Sequence, residues 1–528
     1  MKIINLNVSL AWERVKKDLR KRNFVNASLF YEIVDYHNVE WLRKLKADFE
    51  EGTYCPTSME VVEIPKGKGL VRPGSLLSIE DNIFYASLVQ ECYLSIFNKI
   101  EWAQDEVDFA NIPCCPTASS KDWFQDRISN WNRFREKSMS YLDQGYEFVV
   151  VTDITGYFEN IDVDILSSEL KTCNVHPFII ENLRRCLIKW SQIPGKGIPQ
   201  GNSASDLLAK LYLNTVDQGM RNAGYYYIRY VDDIRIFCKD EIEAKEGLKE
   251  LIRLLRKRGL NLQSAKTKIL HTSIFLEEEI ESTQRIINTL TNKFKDELNN
   301  MLSLGDPYQV VDEGILTNDE TPVEVFKEAF RQHFIKGDES KFDKTLFHFL
   351  INNLTKYKQP FAVNHCLSLL EEHPEETEHI LKYCTSIDAT SILGQRLNYV
   401  CEQLLNFINS RAAIYDYQNF QILSWLREYS EFCVSGLLTT CRKIAFDNNK
   451  PYYYRFVARD ILGREGNSAD LEKLEDYISL IHSEIEKAEL LFCLRRIEKS
   501  RRNAFFGRVA SEGPRLKMTV EYIKSSLQ

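Results

Sequence analysis

Three aspartates carry the chemistry that this sequence offers most directly. Asp153 follows Glu147–Thr152 (EFVVVT), a run with three consecutive valines. Asp232 and Asp233 sit between Tyr225–Tyr230 (YYYIRY) and Ile234–Cys238 (IRIFC). Apolar, β-branched and aromatic runs of this length read as strands, and the acidic residues between them as a tight turn. Adjacent aspartates at a hairpin tip are ordinary solvated turn residues when nothing else accompanies them. Here the apolar runs on both sides would bring two acidic turns to the same end of one sheet. Three carboxylates converging there could hold two Mg²⁺ ions, one activating a 3′ hydroxyl and the other stabilising a leaving pyrophosphate. Mg²⁺ takes hard oxygen ligands. Crowded like charges are costly to keep for structure alone.

Further short motifs stand in order around these aspartates. Asp153-Ile154-Thr155-Gly156-Tyr157-Phe158, then Gly197-Ile198-Pro199-Gln200-Gly201, then Tyr230-Val231-Asp232-Asp233 resemble the palm motifs of reverse transcriptases. Ile64-Pro65-Lys66 followed by Arg72 is similar to the fingers segment of that family. Gly259-Leu260-Asn261-Leu262 followed by Lys266-Thr267 is similar to the motif beyond the catalytic hairpin. Each match is short; five in order across residues 60–270 are specific.

The resemblance implies a role for each position. Asp153 and Asp232 would be the metal ligands, with Asp233 supporting the same site and Mn²⁺ able to replace Mg²⁺. Lys66 and Arg72 would hold the incoming triphosphate, where a guanidinium suits phosphate geometry. Solvated surface cations are the alternative for both. Phe158 stands where these enzymes place the bulky gate against a ribose 2′-OH; a core aromatic after a strand is the other reading. Gln200 and Gly201 would shape the template and nucleotide pocket, the glycine permitting close backbone approach. Lys266 is a candidate proton donor to pyrophosphate, and a solvated lysine accounts for it equally well.

The elements that must position these residues fall into two textures. Up to about residue 275, short β-rich runs alternate with helical stretches such as Asn202–Met220 and Lys239–Arg258, an α/β or α+β pattern. The expectation is a right-hand polymerase fingers and palm domain over 1–280, followed by an all-α domain over 281–528. In the second region Thr283–Leu304, Pro322–Phe334, Lys341–Tyr357, Phe361–Glu372, Ile392–Ile414, Gln418–Cys433 and Asp470–Ile481 read as amphipathic helices. Helices of similar length in a row suggest a HEAT-like stacked array or an irregular bundle, since no clean repeat is visible. Tyr452-Tyr453-Tyr454 reads as packing, although any of the 25 tyrosines could offer a priming hydroxyl. The basic stretch from Arg495-Arg496 to Lys517, with Phe505 and Phe506 inside it, would suit phosphate contact plus base stacking, or a solvated helix end.

Bulk properties narrow the class without deciding it. With 528 residues, 44% apolar and 27% charged, the chain reads as folded and multi-domain. Residues 1–275 carry 37 basic and 37 acidic side chains, so the net charge of −8 sits in the remainder, which carries 31 and 39. Thirteen cysteines without a Cys-x-x-Cys pair, Cys114 and Cys115 adjacent among them, fit neither a disulfide framework nor a zinc site. The N-terminus lacks a secretory apolar core and no run of about 18 apolar residues follows. The expectation is a cytoplasmic protein with no membrane span.

Within the family, the Pro-Gln-Gly form and the Gly-Tyr-Phe run are closest to the bacterial, non-retroviral branch. Retron-type Asn-Ala-x-x-His and Val-Thr-Gly elements are missing, as are a Cys/His endonuclease and an RNase H acidic set. A palm followed by a long helical region resembles abortive-infection and defence-associated reverse transcriptases. That resemblance implies a homo-oligomer that consumes dNTPs and binds product DNA. Synthesis would be untemplated, primed on a protein hydroxyl, or copied from a noncoding RNA. The competing readings are an RNA-binding scaffold that keeps the fold without catalysis, and an RNA-dependent RNA polymerase. Phe158 and the Val before the Asp pair count against the latter.

Overall fold

The structure, a computed structural model, describes residues 4–21, 33–114, 120–279, 287–293, 323–337, 342–386 and 394–526. Cys115 and most of the predicted helix Thr283–Leu304 lie outside the described residues. The chain divides into two compact units, Met1–Val62 with Pro73–Leu276, and Glu63–Arg72 with Glu277–Gln528.

All six strands among the described residues fall in two sheets. β1 (Glu60–Lys66) and β2 (Leu70–Leu76) form a hairpin. β3 (Phe148–Asp153), β4 (Tyr226–Tyr230), β5 (Asp233–Cys238) and β6 (Lys268–His271) form an antiparallel sheet in the order β4-β5-β3-β6. The two central strands are the most apolar runs of the region. Val149, Val150, Ile236, Phe237 and Cys238 are all fully buried. Burying a side chain of this size contributes roughly 1.5–3 kcal/mol, which is why these two runs take the middle of the sheet. One face packs on Phe109, Phe134, Tyr146 and Phe275.

Helices cover the rest of the sheet. α1 (Ile79–Ile100) starts at Ser78, whose side chain accepts from the Asp81 amide. α2 (Ser203–Asn222) packs on α1 and on β4. α3 (Glu241–Arg256), capped by Asp240, packs on α2, β5 and β3. Side-chain caps of this kind contribute about 1 kcal/mol each by satisfying amides that the first turn leaves open. The turn before β5 is one residue shorter than the sequence suggests, because Asp233 itself opens β5 and only Val231 and Asp232 form the turn. β6 was not anticipated: LysIleLeuHis is too short and too mixed to stand out, and pairing with β3 makes it a strand.

Among its described residues the second unit is helical apart from its hairpin segment. α4 (Lys344–Lys356), α5 (Thr377–Ser386), Asp416–Glu428, Tyr452–Glu465, Glu484–Cys493 and Pro514–Ser526 pack successively, each on the next. Between them along the chain run Val363–Glu372, Gly394–Ile408, Val434–Ile444, Ser468–Tyr477 and Lys499–Ala510. Every second helix stacking on the next but one is the pattern of a stacked array of helix pairs. Tyr452–Glu465 shows no one-sided apolar periodicity, for a physical reason. Ten of its fourteen residues are buried, so it has no polar face to alternate with. Tyr453 and Tyr454 are part of that core. Phe505 and Phe506 are buried as well, at 5% and 0% exposure, so neither ring is available to stack on a base.

Candidate active site

The sheet register brings the three aspartates together. Asp153, the last residue of β3, lies directly opposite Asp233, the first residue of β5. Asp232 occupies the turn between them and β4. The Ile154 amide donates to the Asp232 carbonyl at 3.3 Å, tying the acidic turn to the chain just beyond Asp153. From the other side the Gln263 amide donates to the Asp153 carbonyl at 2.7 Å, and the Thr155 amide to Asn261 at 2.9 Å. The segment after Gly259 therefore serves as the third wall of the cluster.

Electrostatics follow from that crowding. Burial, reinforced by the charges of Asp153 and Asp233, pushes the Asp232 carboxyl up to about 7. Asp153 is itself buried, whereas Asp233 is exposed. Lys266 Nζ hydrogen-bonds Asp153 Oδ2. Partial burial works to lower that ammonium, but the Asp153 carboxylate outweighs it and holds the lysine above its ordinary value. An all-oxygen cluster of three carboxylates suits a hard divalent cation. The three carboxylates do not all approach within 4.8 Å of one another; among the described residues only His348, Glu376 and His379 do.

The remaining predicted residues occupy three settings. Phe158 is half-buried against Tyr157, with ring centroids 5.3 Å apart, and its carbonyl accepts from the Ile198 amide at 3.0 Å. That bond seats the Gly197–Gly201 loop beside the turn after Asp153. Gly197 is needed there: its φ is +93°, and a Cβ would stand 3.2 Å from the Glu159 carbonyl oxygen. Gln200 exchanges hydrogen bonds with Ser75 at the end of β2, and its buried Oε1 has no hydrogen-bond partner in the protein. Gly201 follows with φ +98°. Lys66 and Arg72 lie on β1 and β2 with exposed side chains, within the segment that groups with the helical unit.

Sequence reasoning missed the support beneath the acidic turn. Val231 has φ +58°, a conformation that costs a β-branched residue roughly 1–2 kcal/mol. Arg229 Nη1 donates to the Val231 carbonyl at 3.2 Å. The same guanidinium takes Asp217 through Nε and Nη2, each at 2.9 Å, and Asp108 through Nη2 at 2.7 Å. Lys210 closes the network on Asp108 at 2.6 Å. All four residues are buried. An arginine inside the run YYYIRY was the available signal. Its partners stand 12 and 121 residues away and carry no local mark.

With this geometry in place, comparison with known proteins is informative. Residues 64–305 match the family described as reverse transcriptase (RNA-dependent DNA polymerase). This region is similar to reverse-transcriptase domains. The matched stretch includes the four-stranded sheet with its acidic turns, and the architecture is a palm-type α+β fold with a helical C-terminal region. No curated protein sequence matches the chain significantly. Solved structures that resemble it include an apo telomerase from Candida tropicalis truncated of its C-terminal domain. Identity there is 13%, coverage is 44% of this chain and 55% of that one, and the TM-score is 0.32. The apo C. tropicalis telomerase gives 10%, 72%, 74% and 0.33. Candida albicans telomerase with a fragment of telomeric RNA gives 12%, 69%, 66% and 0.31. The chain therefore spans about half the length of the first of these. No described helix is long and apolar enough to cross a membrane.

Proposed function

We propose that the chain is a DNA polymerase of the reverse-transcriptase kind, with Asp153, Asp232 and Asp233 as its catalytic cluster. The observation that carries this reading is the register that sets Asp153 opposite Asp233 with Asp232 in the turn, a crowded cluster that raises the Asp232 carboxyl. Asp153 and Asp232 would hold the divalent ions, Mg²⁺ or Mn²⁺, with Asp233 adding charge. When bound, such ions supply the positive charge that activates a hydroxyl nucleophile and stabilises departing pyrophosphate.

The chain's own residues would do the rest. Lys266, which hydrogen-bonds Asp153, would turn to a phosphate oxygen and give a proton to the departing group. The Phe158 ring would exclude a ribose 2′-OH. Gln200, with a buried Oε1 unclaimed by the protein, would accept from the nucleotide or template, beside Gly201. Lys66 and Arg72 would bind the triphosphate.

The use we infer, from the bacterial-type motifs and the helical region that follows, is defence against phage by a cytoplasmic homo-oligomer. Primer extension with labelled dNTPs and Mg²⁺ or Mn²⁺, with RNA, DNA or no template, tests the polymerase reading. Incorporation by the wild type and none by Asp232→Asn is expected. No incorporation under any of these conditions sinks it.

A further inference from the structure

In the helical unit, two imidazoles and a carboxylate meet at one point. His348 lies on α4, Glu376 ends the single turn Pro374–Glu376, and His379 lies near the start of α5. α4 and α5 pack directly on each other. Glu376 is fully buried, while the side chains of His348 and His379 are 24% and 32% exposed. One donor atom from each lies within 4.8 Å of the others.

The orientation of the three groups is specific. His348 Nε2 stands 2.5 Å from Glu376 Oε2, and His379 Nδ1 stands 3.8 Å from the same oxygen. The two imidazole rings stack at 3.7 Å with their planes 17° apart. The other carboxylate oxygen, Oε1, faces Lys344 Nζ at 2.9 Å and makes no hydrogen bond of good geometry. A carboxylate taken wholly out of water needs compensation, and one lysine on one oxygen leaves Oε2 to two stacked rings.

We propose that His348, Glu376 and His379 form a zinc-class divalent metal site that clasps α4 to α5. Two imidazole nitrogens and one carboxylate oxygen are a donor set that zinc uses when a further position stays open to water. Lys344 on Oε1 is the kind of outer partner that fixes a ligating carboxylate. The half-exposed imidazoles leave a side open for a water ligand. Imidazole favours Zn²⁺, Co²⁺ or Ni²⁺ over Mg²⁺, so this site differs in chemistry from the all-oxygen cluster of the palm.

The test uses the full chain, stripped with a chelator and titrated with Zn²⁺ against a chromophoric indicator. We expect one equivalent that His379→Ala weakens at least tenfold and that His373→Gln, a neighbour outside the cluster, leaves unchanged. Zn²⁺ should also raise the thermal midpoint of the wild type and not that of His379→Ala. Because Glu376→Gln puts the fold itself at risk, the half-exposed His379 carries the decision. Absence of the equivalent, or equal affinity in His379→Ala, overturns the proposal. In that case the cluster is an ion-paired joint between α4 and α5 only.

Discussion

Asp232 shares one end of the sheet with two other carboxylates, and its cost to the fold is electrostatic. Its carboxyl is raised, so the native state binds that proton more tightly than the unfolded chain does. The stability this gives is fully present below the ordinary carboxylate range and is lost as pH rises through about 7. Asp232→Asn removes the charge at every pH. Without divalent ions the variant should therefore be more stable than the wild type at pH 8, by on the order of 4 kcal/mol, and nearly equal to it at pH 4. Thermal melts at the two pH values check this, and equal midpoints at pH 8 contradict it. Polymerisation should fall more than about 100-fold in the same variant. At the neighbouring position, Phe158→Ala should relax discrimination between dNTPs and rNTPs, read as the ratio of the two kcat/KM values. An unchanged ratio removes Phe158 from the gate. At this scale the sequence was informative because aspartates after apolar strands are local features. Arg229 was not legible in the same way, since its role depends on Asp108 and Asp217, which only folding brings near.

A β-branched residue at φ +58° persists only if its surroundings over-determine it. β4 does so through Arg229, which binds the Val231 carbonyl while anchored on two carboxylates. Removing the guanidinium leaves Asp108 and Asp217 buried with Lys210 as their one remaining cation in the network. Arg229→Gln should cost about 3–5 kcal/mol, the range for breaking a buried ion pair. Arg229→Lys should recover part of the stability but little of the polymerase activity. A single ammonium cannot serve Asp217, Asp108 and the Val231 carbonyl together. Denaturant melts alongside kcat would separate these outcomes; a lysine variant restoring both in proportion would mean that Arg229 only stabilises. Elements were legible to the degree that their burial pattern was one-sided or their composition extreme. Valine-rich β3 and amphipathic α3 stood out, whereas β6 and Tyr452–Glu465 were made by their neighbours.

At the scale of the molecule, chain order and compactness part company. The sequence changes texture once, near residue 280, yet Glu63–Arg72 belongs to the same compact unit as the helices. That segment holds Lys66 and Arg72, the two cations expected at a triphosphate. The Tyr415 hydroxyl donates to the Gly69 carbonyl at 3.4 Å, a Cβ on Gly67 would meet Glu375 Oε1 at 3.3 Å, and the Arg72 charge acts on the Tyr417 hydroxyl. No local pattern could reveal these contacts, because each joins residues more than 300 positions apart. They imply that the hairpin owes part of its order to the helical unit, since a two-stranded hairpin by itself is only marginally stable. Amides of residues 63–72 should therefore exchange at least about tenfold faster in a fragment ending at residue 276 than in the full chain. The amides of β3 and β5 serve as the internal reference, since their partners are all within the fragment. If protection of the hairpin and of the palm strands is the same in both proteins, the hairpin is self-sufficient and Lys66 and Arg72 are held without the helices. If the hairpin alone loses protection, the helical unit helps position the residues expected to bind the nucleotide.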